Sequence, residues 1–263
     1  MIDKKEYLLH SIIKAYIEHL EPIGSTQLKS MYDIAYSPAT IRGYFKKLGE
    51  EGFLAQEHVS SGRTPTTEAL KQYWSNKLNF KLDFVDEKAI EYFSKELGVA
   101  VFVQEQKSDT LNDILNVENR YMILEFSSFA ITVKYSDALY RFLNDMQGLE
   151  LVHIVNISKQ VGAYEIYEKV SQHLQNKNFH IYNTKEFFSL ALKYNYDEKS
   201  INGFLKGRIL DSLEEGIYFE NIIPEGYIAI CHNCKIENKN IKMLVVGELS
   251  KDYEYFYNKI NMS

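Results

Sequence analysis

The spacing of apolar and polar positions along the chain changes character after about the first eighty residues. Up to that point, apolar residues recur three and four positions apart, which predicts amphipathic helices. The strongest of these helices begins after Ser37, whose hydroxyl suits an N-cap, with Pro38 at the first helical position. Ile41, Phe45 and Leu48 fall on one face of it. We therefore predict a helix from 38 to about 50 that turns this face toward the protein.

The opposite side of this helix is cationic and bears hydroxyl and aromatic groups, with no carboxylate before Glu50. Such a side can pair with phosphates and read base edges in the major groove of DNA. The side chains that we expect to contact DNA from this helix are Ser37, Thr40, Arg42, Tyr44, Lys46 and Lys47.

The elements around this helix complete a recognisable layout. Two helices are predicted before it, over 4–20 and 26–33, the second capped by Ser25. After it, Gly52 suits a left-handed position, and a hairpin is predicted with its tip at residues 60–63. His58 and Arg63 are the candidate DNA contacts of this hairpin. Three helices followed by a hairpin are typical of a winged helix-turn-helix.

Four motifs in this region carry a family resemblance: EPIGS at 21–25, SPATIR at 37–42, LGEEGFL at 48–54 and HVSSGRTPT at 58–66. Together they resemble the N-terminal domain of the heat-inducible transcription repressor (HrcA) family. The resemblance implies a homodimeric repressor that binds double-stranded DNA at an inverted-repeat (CIRCE) operator of chaperone operons, with the chaperonin GroEL as modulating partner. Gly43 stands where the family usually has Asn, and Tyr44, Lys46 and Lys47 stand where it is commonly acidic or small.

The remainder of the chain mixes strand and helix patterns, so the fold class predicted for the whole is α+β. Strands are predicted at 122–126, 129–135, 151–157, 179–182, 227–231 and 241–246. Helices are predicted at 87–97, 137–146, 163–174, 198–214 and 251–260. The aromatic stripe of the last helix, which includes Tyr253, Phe256 and Tyr257, is expected to lie in the core.

The resemblance also implies how the domains are arranged. We expect a winged helix-turn-helix domain at 1–78, a linker helix at 79–98, a GAF-like domain at 99–149 and 216–263, and an inserted dimerisation subdomain at 150–215. In the alternative interpretation, the chain is a winged-helix regulator whose C-terminal domain senses a ligand unrelated to heat shock.

Charge and composition limit the classes of function. The chain carries a net charge of −6, but residues 1–78 hold ten basic and nine acidic side chains, so the acidic excess lies in the rest. No apolar run is long enough to cross a membrane, and no signal segment opens the chain, so we expect a cytoplasmic protein with no membrane partner. No nucleotide-binding or hydrolase motif occurs, and neither enzymatic activity nor a cofactor is expected.

Two alternatives concern other chemistry. The Cys231-His232-Asn233-Cys234 stretch has the spacing of a zinc-binding pair, but a second pair with regular spacing is missing. The preferred interpretation is that Cys231 ends a strand and Cys234 opens the next loop. A further class of function is a winged-helix module that binds protein instead of DNA, but it leaves the cationic side of the helix unexplained.

Overall fold

A computed structural model describes residues 4–58, 61–78, 81–106, 109–174 and 178–262. The helices are α1 (Lys4–His19), α2 (Ser25–Tyr32), α3 (Pro38–Glu50), α4 (Thr67–Lys77), α5 (Glu87–Leu97), α6 (Asp137–Asn144), α7 (Leu151–Gln160), α8 (Tyr164–Leu174), α9 (Thr184–Lys193), α10 (Glu198–Leu205), α11 (Arg208–Ser212) and α12 (Tyr253–Ile260). The strands are β1 (Leu54–Ala55), β2 (Thr64–Pro65), β3 (Ala100–Glu105), β4 (Leu111–Val117), β5 (Tyr121–Phe126), β6 (Ala130–Lys134), β7 (Phe179–Tyr182), β8 (Gly216–Tyr218), β9 (Tyr227–Ile236) and β10 (Lys239–Glu248). The mixed α+β class is therefore as predicted.

The chain divides into two compact units, the first comprising residues 1–104 and 179–263 and the second residues 105–178. In the first unit, α1, α2 and α3 pack around a shared apolar centre that includes Leu8, Ile12 and Ile41. Strands β1 and β2 follow them as an antiparallel pair in which Leu54 lies opposite Pro65. This local order agrees with the predicted sequence of three helices and a hairpin.

The rest of the first unit is built on a five-stranded sheet with the order β7-β3-β10-β9-β8. Strands β9 and β10 form a long antiparallel ladder, with Ile230 opposite Val245. One face of the sheet packs against α5 and α12 through residues such as Ile90 and Phe256. The other face packs against α9, α10 and α11, with Phe187 among the buried side chains. Both faces are therefore covered by helices.

Helix α4 joins the N-terminal elements to this sheet. Thr66 caps the helix by accepting a hydrogen bond from the backbone N–H of Ala69. The indole Nε1–H of Trp74 donates to the backbone carbonyl of Leu249 at 2.7 Å, and the Trp74 side chain is 1% exposed. The Tyr253 ring meets the Trp74 ring edge-on at 5.2 Å. This buried contact fixes α4 against the turn between β10 and α12.

The second unit pairs a three-stranded antiparallel meander, β4-β5-β6, with α6, α7 and α8. Met122, Leu124 and Val133 point from the meander into a core that they share with Ile154 and Ile166 of the helices. The insert was predicted at 150–215, but the second unit begins before β4 and ends at residue 178. The reason is that the meander shares its core with α7 and α8, and so belongs with them.

Three further predictions about local structure are wrong. Residues 151–157 form the start of a helix, not a strand, with Leu151, Ile154 and Val155 buried. The helix predicted at 198–214 is two helices, α10 and α11, because Gly207 adopts a left-handed conformation with φ 70° between them. Ser25 is the first residue of α2 and gives no side-chain cap.

Candidate nucleic-acid interface

Helix α3 has the orientation that its sequence pattern predicts. Ser37 is the N-cap, and its Oγ accepts a hydrogen bond from the backbone N–H of Thr40 at 3.1 Å. Ile41, Phe45 and Leu48 are buried in the N-terminal core. Proline at the first helical position and a satisfied cap fix where the helix begins, and the buried stripe fixes which side remains exposed.

The side of α3 that faces away from the core exposes Thr40, Arg42, Lys46 and Lys47, and leaves Tyr44 partly exposed. One ion pair on it joins the Lys46 Nζ to the Glu50 carboxylate at 3.9 Å, with both side chains mostly in solvent. Exposed pairs of this kind contribute little free energy, so Lys46 can exchange this partner for a phosphate. We call the exposed side chains of Thr40, Arg42, Lys46 and Lys47 the basic face.

Neighbouring groups orient two cations of the basic face. The Nη1 of Arg42 donates to the Oγ of Ser25 at 3.3 Å, so the start of α2 lies beside the guanidinium. The Nζ of Lys47 lies 5.8 Å from the centre of the Tyr44 ring, a cation–π distance. Reasoning from sequence missed the position of Ser25, since it assigned that hydroxyl to a cap. Because Ser and Gly are both common N-caps, the sequence did not indicate which of the two would cap α2.

Ser37 and His58 are each held in place by hydrogen bonds to residues close to them in the chain. The Oγ of Ser37 is also 2.9 Å from the Oγ1 of Thr40, so both hydroxyls are engaged at the start of α3. His58 is exposed in the loop between β1 and β2, where its backbone N–H donates to the Oγ of Ser61 at 3.1 Å. Ser61 Oγ donates in turn to the His58 carbonyl at 2.7 Å. Of the predicted tip, residue 60 lies outside the described residues.

Arg63 is not at the tip of the hairpin, contrary to prediction. It directly precedes β2, and its backbone exchanges two hydrogen bonds of 2.9 Å with Ile23 in the turn between α1 and α2. Its side chain is only partly exposed, and its Nη1 is buried without a hydrogen-bond partner in the described part of the chain. The physical reason is the long-range bridge to Ile23, which pins this residue at the base of the loop.

The cysteine pair does not form a metal-binding cluster, and the expected strand end is wrong as well. Cys231 and Cys234 both lie within β9, three residues apart, and therefore point to opposite faces of the sheet. Burial raises the pKa of the Cys231 thiol to about 11 and that of Cys234 to about 12. Across residues 4–58, 61–78, 81–106, 109–174 and 178–262, no three His, Cys, Asp or Glu side chains are placed to bind a metal together.

Within the same ranges, no helix has both the length and the apolar character needed to span a bilayer.

Comparisons with known proteins cover almost the whole chain. The family profile described as the HrcA C-terminal domain matches residues 74–263. A heat-inducible transcription repressor HrcA from Helicobacter pylori (strain ATCC 700392 / 26695) is 31% identical over 260 residues, which is 99% of this chain and 95% of that protein. The protein of the same name from Thermodesulfovibrio yellowstonii is 27% identical over 256 residues, covering 88% of this chain and 70% of the relative.

A crystal structure solved at 2.2 Å and described as that of a hypothetical protein has a similar fold. Its TM-score is 0.51 at 19% identity, over 98% of this chain and 97% of that one. The named relatives are transcription repressors. The chain belongs to the HrcA family, as the motifs of its N-terminal region indicated.

Proposed function

We propose that this protein represses transcription by binding double-stranded DNA, and that residues 1–78 form a winged helix-turn-helix for this purpose. The observation that carries the proposal is the division of α3 into two sides. Its apolar side is buried, while the basic face is exposed on a helix whose first carboxylate is Glu50. A helix of this kind can enter the major groove, where cations contact phosphates and base edges.

Each side chain of the basic face has a distinct part in this proposal. Arg42 contacts a base edge or a phosphate. The Ser25 hydroxyl restricts where its guanidinium can lie, because the guanidinium donates a hydrogen bond to it. Lys46 and Lys47 neutralise phosphates, and Tyr44 supports the Lys47 cation through its ring. Since the hydroxyls of Ser37 and Thr40 are already paired with each other, Ser37 acts mainly by positioning the start of the helix.

The loop between β1 and β2 is proposed to contact the DNA backbone beside the groove. His58 is exposed there and is the residue of this loop that we expect to meet a phosphate. Arg63 is expected to contribute by holding the loop against Ile23, with any DNA contact restricted to its partly exposed atoms. Backbone hydrogen bonds thus hold this loop against the turn between α1 and α2.

We propose that two copies of the chain associate through the second unit, residues 105–178, which takes the role expected of the insert at 150–215. The meander turns an apolar surface away from its helices, with Leu115 42%, Val117 39% and Tyr121 49% exposed. Val117 lies opposite Tyr121, and Leu115 lies opposite Ile123, so these side chains form one continuous patch. Exposed apolar patches of this kind are typical of surfaces that bind another protein.

Substitution on this patch tests the dimer. Tyr121→Glu should convert a dimer to a monomer in sedimentation-velocity experiments, because a carboxylate would have to be buried at the interface. Glu118→Gln, a charge change in the turn between β4 and β5, is the control and should leave the dimer intact. A Tyr121→Glu variant that remains dimeric at low protein concentration would contradict this interface.

We also propose that the five-stranded sheet with its two helical layers is the GAF-like domain of the family. Through family membership, the operator is proposed to be the inverted repeat (CIRCE) of chaperone operons, and GroEL is proposed to modulate the repressor. The support for both is that the named relatives are heat-inducible transcription repressors. If the chaperonin has this role, adding GroEL with ATP after thermal stress should raise the fraction of chains that bind the operator.

Operator binding is tested by fluorescence anisotropy with two labelled duplexes, at 50 and 200 mM salt. One duplex carries the inverted repeat upstream of the chaperone operon in the genome that encodes this chain, and the other carries the same bases scrambled. We expect the inverted repeat to bind at least about 10³-fold more tightly than the scrambled duplex, as is usual for specific sites. Equal affinities that fall together with salt would mean charge attraction alone and would contradict the proposal.

A further inference from the structure

A cavity of about 590 Å³ lies beside the five-stranded sheet in the first unit. Helices α10 and α11 form one side of it, and the segment between β8 and β9 forms the other. Its volume falls within the range of sites that bind small molecules. The basic face of α3 uses none of its residues.

The walls of the cavity are aromatic and aliphatic, and they suit a flat apolar body. Tyr196 and Phe204 contribute neighbouring rings, 6.3 Å apart at an angle of 33°. Ile222 and Pro224 of the β8–β9 segment also line the cavity, and the Tyr196 hydroxyl donates to the backbone carbonyl of Ile222 at 3.5 Å, so the two sides meet at that point. The burial of an aromatic ring between such side chains stabilises a complex by removing apolar surface from water.

Arg208 gives the cavity its charge preference. Arg208 is an exposed residue at the lining of the cavity, and it forms no ion pair with a carboxylate in the part of the chain that the structure describes. Other polar residues at the lining are Ser200, Ser212 and Asn221, together with the phenols of Tyr194 and Tyr196. A guanidinium fork with neutral hydrogen-bonding groups beside it matches a carboxylate.

One edge of the cavity is connected to the N-terminal region. Glu220 and Asn221 lie in the β8–β9 segment and both adopt left-handed conformations, with φ of 57° and 56°. Two consecutive residues in this conformation store strain that a bound ligand can hold or release. The Glu220 carboxylate forms an ion pair with the Nζ of Lys71 on α4, the helix that follows β2. This ion pair is a contact between the edge of the cavity and α4.

We propose that this cavity binds an aromatic carboxylic acid, with Arg208 holding the carboxylate, and that its occupation changes operator affinity through the Glu220–Lys71 pair. The second half of this statement rests on the operator binding proposed above, whereas the first half does not. The aromatic ring packs against the side chains of Phe204, Tyr196 and Ile222 that line the cavity. The site makes the repressor responsive to a small molecule.

Isothermal titration calorimetry of the full chain with indole-3-acetate tests the site without DNA. The wild type should bind it, and the uncharged analogue indole-3-acetamide should bind at least about tenfold more weakly, as should indole-3-acetate to Arg208→Gln. Gly203→Leu should abolish binding, because Gly203 lines the cavity and a larger side chain there would compete with the ligand for space. Lys206→Gln, which removes a neighbouring exposed cation, should bind like the wild type.

Absence of heat with wild type at millimolar indole-3-acetate, or equal binding of the acid and the amide, would overturn the site. The connection to DNA is then measured as operator affinity with and without saturating indole-3-acetate, where at least about a fivefold change is expected. Lys71→Gln should keep ligand binding and lose this change. Ligand binding with unchanged wild-type operator affinity would refute the regulatory half alone. Failure of the free chain to bind any operator would instead refute the proposed function.

Discussion

Gly62 is the residue whose replacement tests the attachment of the loop between β1 and β2 most sharply. A Cβ atom at this position would lie 2.6 Å from the carbonyl carbon of Pro22, 2.6 Å from its oxygen, and 2.6 Å from the carbonyl carbon of Ile23. Ordinary contacts between carbon atoms are about 3.5–4.0 Å. Because all three neighbours are backbone atoms, no side-chain rotation can relieve the clash. Gly62→Ala must therefore move the loop by about 1 Å.

The energetic cost follows from what that movement breaks. Ile23 and Arg63 exchange two backbone hydrogen bonds of 2.9 Å beside Gly62. The net contribution of each is about 1 kcal/mol, and the strain of overpacking costs about 1–3 kcal/mol if the loop stays in place. Both courses cost about 2 kcal/mol, so the free energy of unfolding should fall by about that amount.

The assay is urea denaturation followed by the fluorescence of Trp74, the single tryptophan of the chain. Gly43→Ala is the matched control, since it makes the same chemical change on the exposed side of α3, where an added Cβ meets nothing within 4 Å. That variant should gain up to about 1 kcal/mol of stability from helix propensity. A Gly62→Ala variant that is as stable as the wild type would refute the reasoning about this contact.

Three further outcomes are expected. Ser37→Ala should lower the free energy of unfolding by about 1 kcal/mol through loss of the N-cap, measured by urea denaturation. Trp74→Phe should lower the free energy of unfolding by about 2 kcal/mol, because the buried carbonyl of Leu249 loses its donor and the smaller ring leaves a gap. Thermal melts followed by circular dichroism measure this change. At pH 8, iodoacetamide should modify Cys231 and Cys234 only after unfolding, because burial holds both thiols protonated and inaccessible to the reagent. Mass spectrometry measures the extent of modification.

The outcomes that would contradict these three are equally specific. Wild-type stability of Ser37→Ala would mean that the hydroxyl does not stabilise α3. Unchanged melting of Trp74→Phe would mean that α4 is held to the sheet by other contacts. Rapid alkylation of either thiol in the native protein would place that cysteine at the surface.

Local sequence signals predicted the N-terminal elements well because several of them agreed. For α3, the N-cap, the proline at the first position and the apolar stripe all indicate the same helix, and no long-range contact is needed to decide it. The aromatic stripe of α12 was predicted to be core, and Tyr253, Phe256 and Tyr257 are buried. The exposure of the basic face follows directly from the burial of the stripe behind it.

The errors arise where local pattern is ambiguous or where distant residues decide. The apolar run at 151–157 fits either a buried strand or a helix. The spacing of Leu151, Ile154 and Val155 favours the helix that forms, whereas the run as a whole led to the prediction of a strand. The position of Arg63 depends on its bridge to Ile23, forty residues earlier, which no local pattern reveals. The boundaries of the second unit depend likewise on the packing of the meander against later helices.

The most direct test of the central claim is the operator affinity of Arg42→Ala, measured by fluorescence anisotropy beside the wild type and Lys199→Ala, an exposed cation distant in sequence from the basic face. Circular dichroism and the urea midpoint first establish that all three proteins are equally folded. Arg42→Ala should bind the inverted repeat about 1–3 kcal/mol more weakly than wild type, with Lys199→Ala unchanged. Unaltered affinity of a folded Arg42→Ala protein would contradict the docking of α3 on DNA.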